Sequence, residues 1–218
     1  MLTDHIGDAI VYRIMGIYYS SGDYIHYNSL VLPYKIMRGF GRLGFPIFCF
    51  LLVEGFYHTR SRLRYARNLF LFALISEFPF DFALKNAPFY PEKQNVFWTL
   101  LIALIVIWII DFFQYSPSLM YLALVFGMMF ARALNTDYNY KGVFLITVLY
   151  LFHSYRSYQC IAGAAVISYE KWAPIAYLLC WMYNGKRGLR LKYLFYTFYP
   201  GHLLVLGLIR YFVLPRFF

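Results

Sequence analysis

The chain has 218 residues, of which 61% are hydrophobic and only 14% are charged. Soluble domains carry roughly 25% charged residues, so this composition excludes an ordinary soluble domain and predicts a membrane protein. The net charge of +10 could suit nucleic acid, but the basic residues cluster at the ends of apolar runs rather than in patches mixed with aromatic residues. We therefore expect membrane lipids, and no nucleic acid, as partners.

Apolar runs along the chain predict an all-α fold. In chain order, we expect helices near residues 5–19, 36–57, 66–84, 95–114, 117–134 and 140–155. Residues 157–183 are too long for one upright span, since about 20 residues cross a bilayer, and Glu170 and Pro174 lie near their middle. We therefore predict two short helices there.

The last predicted helix covers residues 191–213, and Pro200 with Gly201 is expected to interrupt it. The total is then about nine spans, some of them short or broken. No internal repeat or long linker divides the chain, and no cleavable leader opens it, so the first helix is expected to be structural. The sequence thus predicts one domain over residues 1–218, a polytopic integral membrane helical bundle.

Basic residues are densest in two turns, over residues 58–67 and 185–192. Lys and Arg gather on the cytoplasmic side of membrane proteins. Nine spans place both turns on one side, whereas a single helix across residues 157–183 would place them on opposite sides. The pattern therefore favours the split helix, and a multi-pass protein of the bacterial inner membrane with both turns in the cytoplasm.

Three cysteines, Cys49, Cys160 and Cys180, lie in apolar surroundings and lack a zinc-like spacing, so we interpret them as core residues and expect no metal. The string from Gly39 to Gly44 has the letters of a dinucleotide-binding loop, yet it follows no strand and opens a span. Its glycines are therefore predicted to permit close packing between helices.

Glu54 lies inside an apolar run, where a charge costs roughly 3 kcal/mol on membrane-insertion scales, so it is expected to face the bundle interior. His58 follows one helical turn later, so the two side chains share a face and can exchange a proton. The alternative is that His58 lies at the membrane interface and Glu54 only joins neighbouring helices.

Glu77 and Asp81 form a second pair on one helix face, with Pro79 between them. Proline cannot donate to the helix ladder, so we expect a kink that exposes backbone carbonyls beside the two acids and lines a cavity. In the alternative, the acids act as caps or reach the interface near Lys85.

Two histidines lie near the ends of the chain. His5 can accept a proton from an attacking amine or hydroxyl near neutral pH. Its neighbour Asp4 points elsewhere on a helix, so an orienting carboxylate should come from another span. His202 follows the Pro200 break and resembles unwound ligand sites in membrane helices. The alternatives are a bystander role for His5 and a packing role for His202.

These residues lie in strings that resemble the TraX family. The strings are Asp4-His5-Ile6-Gly7, Phe45-Pro46-Ile47-Phe48, Val53-Glu54-Gly55-Phe56, His58-Thr59, Phe72-Ala-Leu-Ile-Ser-Glu77, Pro79-Phe80-Asp81, Gln94-Asn95-Val96-Phe97, Tyr183-Asn184-Gly185-Lys186-Arg187-Gly188 and Phe198-Tyr199-Pro200 with His202. The resemblance covers nearly the whole chain, although family members carry more apolar residues before the first string. The family is named for a conjugation protein that N-acetylates pilin, and it is similar to the wider transmembrane acyltransferase group.

The resemblance implies an integral membrane acetyltransferase that takes an acetyl group from acetyl-CoA. The acceptor would be an amine or hydroxyl of a protein, peptide or glycan. Phosphates bind to compact positive charge and free donors. We expect the donor's phosphates near Asn184, Lys186 and Arg187, or near Arg60 and Arg64.

His5, oriented by Glu54 or Glu77, is expected to deprotonate the acceptor as it attacks the thioester. Arg42 or His202 would polarise the carbonyl. The expected catalytic set is His5, Arg42, Glu54, Glu77, Asp81 and His202. A covalent acetyl-histidine is the variant route, and the sequence leaves direct and two-step transfer open.

Two other classes of protein fit parts of the pattern. A proton-coupled transporter or flippase also uses intramembrane acids and broken helices, although the related halves that would favour a carrier are not visible here. A membrane scaffold without catalysis needs only packing, and its function would survive replacement of Glu54, Glu77 and His5 together.

Overall fold

In a computed structural model, which describes residues 1–85, 87, 89–186 and 192–216, the chain folds into helices, and the described part contains no β-strand. The α-helices are α1 (Leu2–Ile6), α2 (Tyr12–Ser20), α3 (Tyr24–Arg42), α4 (Gly44–His58), α5 (Arg62–Leu84), α6 (Val96–Phe112), α7 (Pro117–Ala133), α8 (Asn139–Leu151), α9 (Arg156–Val166), α10 (Ala176–Trp181) and α11 (Lys192–Leu208). A π-helical turn, Gly7–Val11, joins α1 to α2, and a second, Ile209–Val213, continues α11. Short 3-10 turns precede α10 and end the described chain: Ala173–Ile175 and Leu214–Arg216.

Because α1 continues into α2 and only Leu43 separates α3 from α4, the described helices form nine continuous stretches. The prediction of an all-α fold with about nine helices is therefore confirmed. The break predicted within residues 157–183 is confirmed as well, since α9 ends at Val166 and α10 begins at Ala176.

The prediction of a helix over residues 36–57 is wrong at its start, because this helix begins at Tyr24. Asp23 caps it by accepting a hydrogen bond from the backbone N–H of His26 at 3.2 Å. The first half of the helix has no continuous apolar run, and Pro33 lies inside the helix without ending it. The cap, rather than hydropathy, therefore marks the start.

Pro200 and Gly201 do not interrupt the last helix, which corrects a second expectation. The helix α11 continues through both residues to Leu208. Its packing against α5 is close: a Cβ added to Gly207 would lie 2.3 Å from the ring of Phe82. Side-chain packing therefore outweighs the one hydrogen bond that a proline removes from the helix.

The helix α6 lies at the centre of the bundle. Most of its residues are buried, apart from a stripe with Ile105, Ile109 and Phe112, and it packs against α4, α5, α7 and α8. Around it, α11 packs along α5, the α9 and α10 pair packs on α8 and α4, and α1 with α2 packs on α3. The cysteines Cys49, Cys160 and Cys180 are free and buried, which confirms them as core residues.

Two helical stretches of the described chain are long and apolar enough to cross a membrane, judged by length and composition: Tyr24–His58 and Tyr196–Arg216. Three shorter helices, α6, α7 and α8, are also apolar. These segments indicate an association with a membrane. The first stretch has 35 residues. At 1.5 Å per residue it is about 52 Å long, which exceeds the hydrocarbon core of a bilayer.

Glycines allow the N-terminal helix to lie directly against the junction of α3 and α4. A Cβ on Gly41 would lie 2.0 Å from the Cβ of Asp4, and a Cβ on Gly44 would lie 2.7 Å from the side chain of Met1. On the same string, Gly39 packs against the ring of Trp172. The prediction that these glycines permit close helix packing is therefore confirmed.

We predict that Gly41→Ala destabilises the protein, because its Cβ has no room beside Asp4. Overpacking of this kind costs roughly 1–3 kcal/mol. The matched control is Gly16→Ala in α2, where a Cβ meets nothing within 4 Å. That substitution should raise stability by up to about 1 kcal/mol through helix propensity. Thermal unfolding in detergent checks the pair, and equal melting temperatures for the two variants would contradict the packing argument.

Candidate functional site

Two histidines from opposite ends of the chain form a pair inside the bundle. His5 in α1 is 7% exposed, and its Nδ1 lies 2.7 Å from Nε2 of His202 in α11. The two rings are nearly parallel, with an interplanar angle of 9°. The structure thus brings together two of the residues expected in the site, although neither is adjacent to a carboxylate that orients it.

The hydrogen bonds define which nitrogens of the pair carry protons. Nδ1 of His202 lies 2.5 Å from the carbonyl oxygen of Phe198, and a carbonyl only accepts, so this nitrogen donates. In a neutral ring the other nitrogen of His202 then accepts from Nδ1–H of His5. Nε2 of His5 is left with a free lone pair, which is the form of imidazole that acts as a base or nucleophile.

Two arginines, each paired with carboxylates, lie near the histidine pair. Nη1 of Arg38 lies 2.9 Å from the carboxylate of Asp4 and 3.5 Å from that of Asp8. One turn further along α3, Arg42 forms an ion pair with Glu170 at 3.4 Å. Burial and these guanidinium groups disfavour a positive charge on His5 and so favour its neutral form. Asp4 pairs with Arg38 rather than with its sequence neighbour His5, as expected because adjacent residues point in different directions on a helix.

Tyr199 connects the histidine pair to the start of α6. Its buried ring meets the rings of His5 and His202 edge-on, with centroids 5.8 Å and 5.7 Å away, and that of Phe97 at 5.1 Å. In the sequence, Tyr199 stands out only as part of a family string, which does not reveal this contact. Its spacing of three residues from His202 on one helix is the signal that could have found it.

The carboxylate of Glu77 binds residues at the N-terminus of α6 rather than His5. Its carboxylate accepts hydrogen bonds from the side-chain amide of Asn95 and from Nε1 of Trp98, the latter at 3.0 Å. Asn95 in turn caps α6, because its side-chain oxygen accepts from the backbone N–H of Phe97 at 2.9 Å. A carboxylate is favourable at the positive end of the helix dipole.

Asp81 accepts a hydrogen bond from the backbone N–H of Tyr90 at 2.7 Å and so fixes the segment before α6. Pro79 lies inside α5, which continues to Leu84. These contacts favour the alternative in which Glu77 and Asp81 act as caps.

Glu54 is the centre of a second buried cluster. Its carboxylate lies 2.9 Å from Nη1 of Arg156, 3.3 Å from Nε2 of His153 and 3.7 Å from Nε2 of His58. Arg156 also donates to the side chain of Gln159 at 2.9 Å. The face shared by Glu54 and His58 was predicted, whereas Arg156, His153 and Gln159 were missed because they come from distant segments.

The two clusters lie at different depths of the bundle. Met1 and its neighbours lie against Gly44 at the start of α4, and Glu54 follows ten residues later. That separation is about 15 Å along the helix axis. The expectation that Glu54 or Glu77 orients His5 is therefore wrong for this structure, where the ring of His5 is held by His202.

The first basic turn, and the second as far as it is described, lie at the end of the bundle that holds Glu54. Arg62 forms an ion pair with Asp111 at 2.6 Å, while Arg60 and Arg64 are exposed. The guanidinium of Arg156 lies over the ring of Tyr183, 5.3 Å from its centroid, which brings the second turn to the same end. This agrees with the arrangement that nine helices predict.

The second turn is described only as far as residue 186. The side chain of Asn184 accepts from the backbone N–H of Lys186 at 3.0 Å, and Lys186 is exposed. Gly185 has a φ of +73°, which suits glycine. Arg187, also expected to bind the donor, lies outside the described residues. Among the described residues, no group of three or more His, Cys, Asp or Glu could hold a metal ion.

Comparison with known proteins agrees with these features. A family model described as TraX protein matches residues 1–210. The chain belongs to the TraX family. A relative of this TraX-family chain is the probable fimbrial assembly protein FimC, serogroup H1, of Dichelobacter nodosus, which is 30% identical over 79% of this chain and 82% of its own length. No solved structure matches.

We predict that Arg156→Met destabilises the protein by about 3–5 kcal/mol, because Glu54 is then a buried charge without its closest cation. The double variant Glu54→Gln/Arg156→Met should recover much of this loss. Denaturant unfolding at mildly alkaline pH, where histidines are neutral, measures both effects. The control is exposed Arg64→Met, which should change stability by less than about 0.5 kcal/mol. A loss no larger than that of the control would contradict the pairing.

Proposed function

We propose that this protein is an integral membrane acetyltransferase that transfers an acetyl group from acetyl-CoA to an amine or hydroxyl of a protein, peptide or glycan. Membership of the TraX family supports this reaction, since the family resembles transmembrane acyltransferases. The observation that carries the proposal is the hydrogen bond between His5 and His202, which leaves Nε2 of the His5 ring free.

In the proposed reaction, the acceptor nitrogen or oxygen attacks the thioester carbonyl carbon while its proton passes to Nε2 of His5. The new bond to the acetyl group forms, the carbon–sulfur bond breaks, and the coenzyme A thiolate takes the proton from His5. The products are the acetylated acceptor and free coenzyme A. In the two-step variant, the same nitrogen attacks first and forms an acetyl-histidine.

His202 is a positioning residue in this proposal. Both of its ring nitrogens are engaged, so it holds His5 and has no spare N–H to polarise the thioester carbonyl. That role falls to Arg42, which keeps N–H donors beyond its ion pair with Glu170. Glu54, Glu77 and Asp81 then act on the framework rather than on the reacting atoms.

We propose further that the bundle spans the bacterial inner membrane several times. Large apolar side chains are exposed on helices α7, α9 and α10, among them Tyr121, Leu122, Phe126, Met129, Phe130, Ile161, Leu178, Leu179 and Trp181. An apolar surface of this extent supports contact with lipid rather than water. The shared end of the two basic turns would be cytoplasmic.

The donor's phosphates are proposed to bind at this basic end. Ser61 caps α5 by accepting from the backbone N–H of Arg64, and a helix N-terminus with adjacent arginines favours anions. The distance along α4 from His58 back to Gly44, where Met1 packs, is about 21 Å, and His5 lies one helical turn beyond Met1. The extended pantetheine arm would bridge that distance. By analogy with the named relative, a fimbrial subunit is a candidate acceptor.

A proton-coupled carrier is the second candidate, and the observation that favours it is the buried carboxylate of Glu54 among His58, His153 and Arg156. Such a site can alternate between protonated and charged forms. In that function the histidine pair would have no reacting partner.

We predict that His5→Ala lowers the rate of acetyl transfer by about 10²–10⁴-fold, the usual contribution of a general base. His202→Ala should cause a smaller loss in kcat, because it frees the ring of His5 without removing it. The control is His26→Ala, an exposed histidine that pairs with Asp23. Release of free thiol from acetyl-CoA by purified protein, with a lysate fraction as acceptor, is the measurement.

Wild-type rates in folded His5→Ala protein would reject His5 as the base. Absence of any thiol release and of acetyl-CoA binding in the wild type would reject the acetyltransferase. Proton uptake by proteoliposomes in that case would favour the carrier.

We predict that the double variant Arg60→Glu/Arg64→Glu raises the KM for acetyl-CoA about tenfold or more with little change in kcat, since it removes charge-assisted contacts to phosphate. Lys35→Glu/Arg216→Glu makes the same change of charge at exposed residues remote from this end and should leave the KM unchanged. Steady-state kinetics with both variants checks the proposal, and equal KM values would place the donor elsewhere.

A further inference from the structure

An open groove runs beside the histidine pair, between α1 and α11. Its volume is about 510 Å³. Its walls include Leu2 and Ile6 of α1, and Phe198, Gly201, His202 and Val205 of α11. His202 belongs to the wall of this groove and accepts the hydrogen bond from Nδ1 of His5, so the groove reaches the histidine pair from the side of His202.

The chemistry of the groove suits hydrocarbon. Among the described residues that line it, His202 is the only ionisable side chain, so the lining offers no cation to the phosphates of coenzyme A. Its rim is exposed: Phe198 is 46% and Val205 is 54% accessible. Because α11 belongs to a stretch that can cross a membrane, the mouth of the groove would face lipid.

The size of the groove favours a single chain. A Cβ on Gly201 would meet nothing within 4 Å, so this part of the wall is open. A transmembrane helix of about 20 residues is about 30 Å long and 10 Å wide, several times the volume of the groove. Only a side chain of such a helix would enter, whereas a linear hydrocarbon chain can lie along the groove.

We infer that this groove binds the hydrocarbon chain of a lipid-type acceptor, and that it holds the polar head of that acceptor beside His5. The inference rests on the proposed acetyl transfer and adds a lipid-type acceptor to the protein, peptide and glycan acceptors of that proposal. An alkylamine then loses its proton to His5 as its nitrogen bonds to the acetyl carbon, and coenzyme A leaves with that proton. The acceptor enters sideways from the bilayer, while the donor comes from the basic end.

The test uses the full-length protein in lipid nanodiscs with dodecylamine and butylamine as acceptors. The readout is the ratio of kcat/KM for the two amines, within each variant. In Gly201→Phe the new ring fills the groove, and the ratio should fall about tenfold, as expected when two buried CH2 groups lose their contacts. Val205→Trp, one turn further along the groove, should act in the same direction. Gly16→Phe, placed where a Cβ also meets nothing, is the control and should keep the wild-type ratio.

An unchanged ratio in both groove variants would overturn the inference. So would a dependence on Gly201 that appears only with a hydrophobic peptide acceptor.

A second readout is independent of turnover: a diazirine-bearing dodecylamine should crosslink to residues 197–209, and Gly201→Phe should abolish this label. Crosslinking without thiol release would support the groove and reject the acetyltransferase, whereas no crosslinking would reject the groove.

Discussion

The contact of the N-terminal helix with Gly41 determines where His5 can lie. The missing side chain at Gly41 lets the backbone of Asp4 pack against α3, and the next residue then reaches α11. In this position the ring of His5 forms a hydrogen bond with His202, and the ring of Tyr199 packs edge-on against both rings. The histidine pair needs no carboxylate to orient it, because a backbone carbonyl at the far end of the hydrogen-bonded chain already defines both tautomers.

Charge inside the bundle is divided between two levels. At one level, Arg38 and Arg42 lie near the histidine pair, and their charge is balanced by Asp4 and Glu170. At the other, Glu54 is balanced by Arg156. A buried ion pair contributes little net stability but is costly to break, so the second cluster mainly fixes how α4 and α9 meet. The proposed chemistry and the proposed phosphate site are thereby kept apart, and only a long donor connects them.

Local patterns predicted much of the framework. Apolar runs indicated the number of helices, and the spacing of Glu54 and His58 indicated their shared face. Contacts between distant segments were not predictable in this way. His5 and His202 are 197 positions apart, and no local rule says which helices become neighbours. The expectation that Glu54 orients His5 failed for the same reason. A carboxylate is a suitable residue type for this role, but the sequence does not show that Glu54 and His5 lie at different depths of the bundle.

The π-helical turn Gly7–Val11 separates α1, which carries His5, from α2, and both helices pack against α3. Such a turn contains one residue more than an α-helical turn and therefore amounts to an insertion. Each residue rotates an α-helix by about 100°, so this insertion sets the phase of α1 relative to α2. A related chain without the extra residue would keep its helical hairpin, yet it would turn His5 away from α11. Length variation at this one position is thus a marker for which relatives retain the histidine pair.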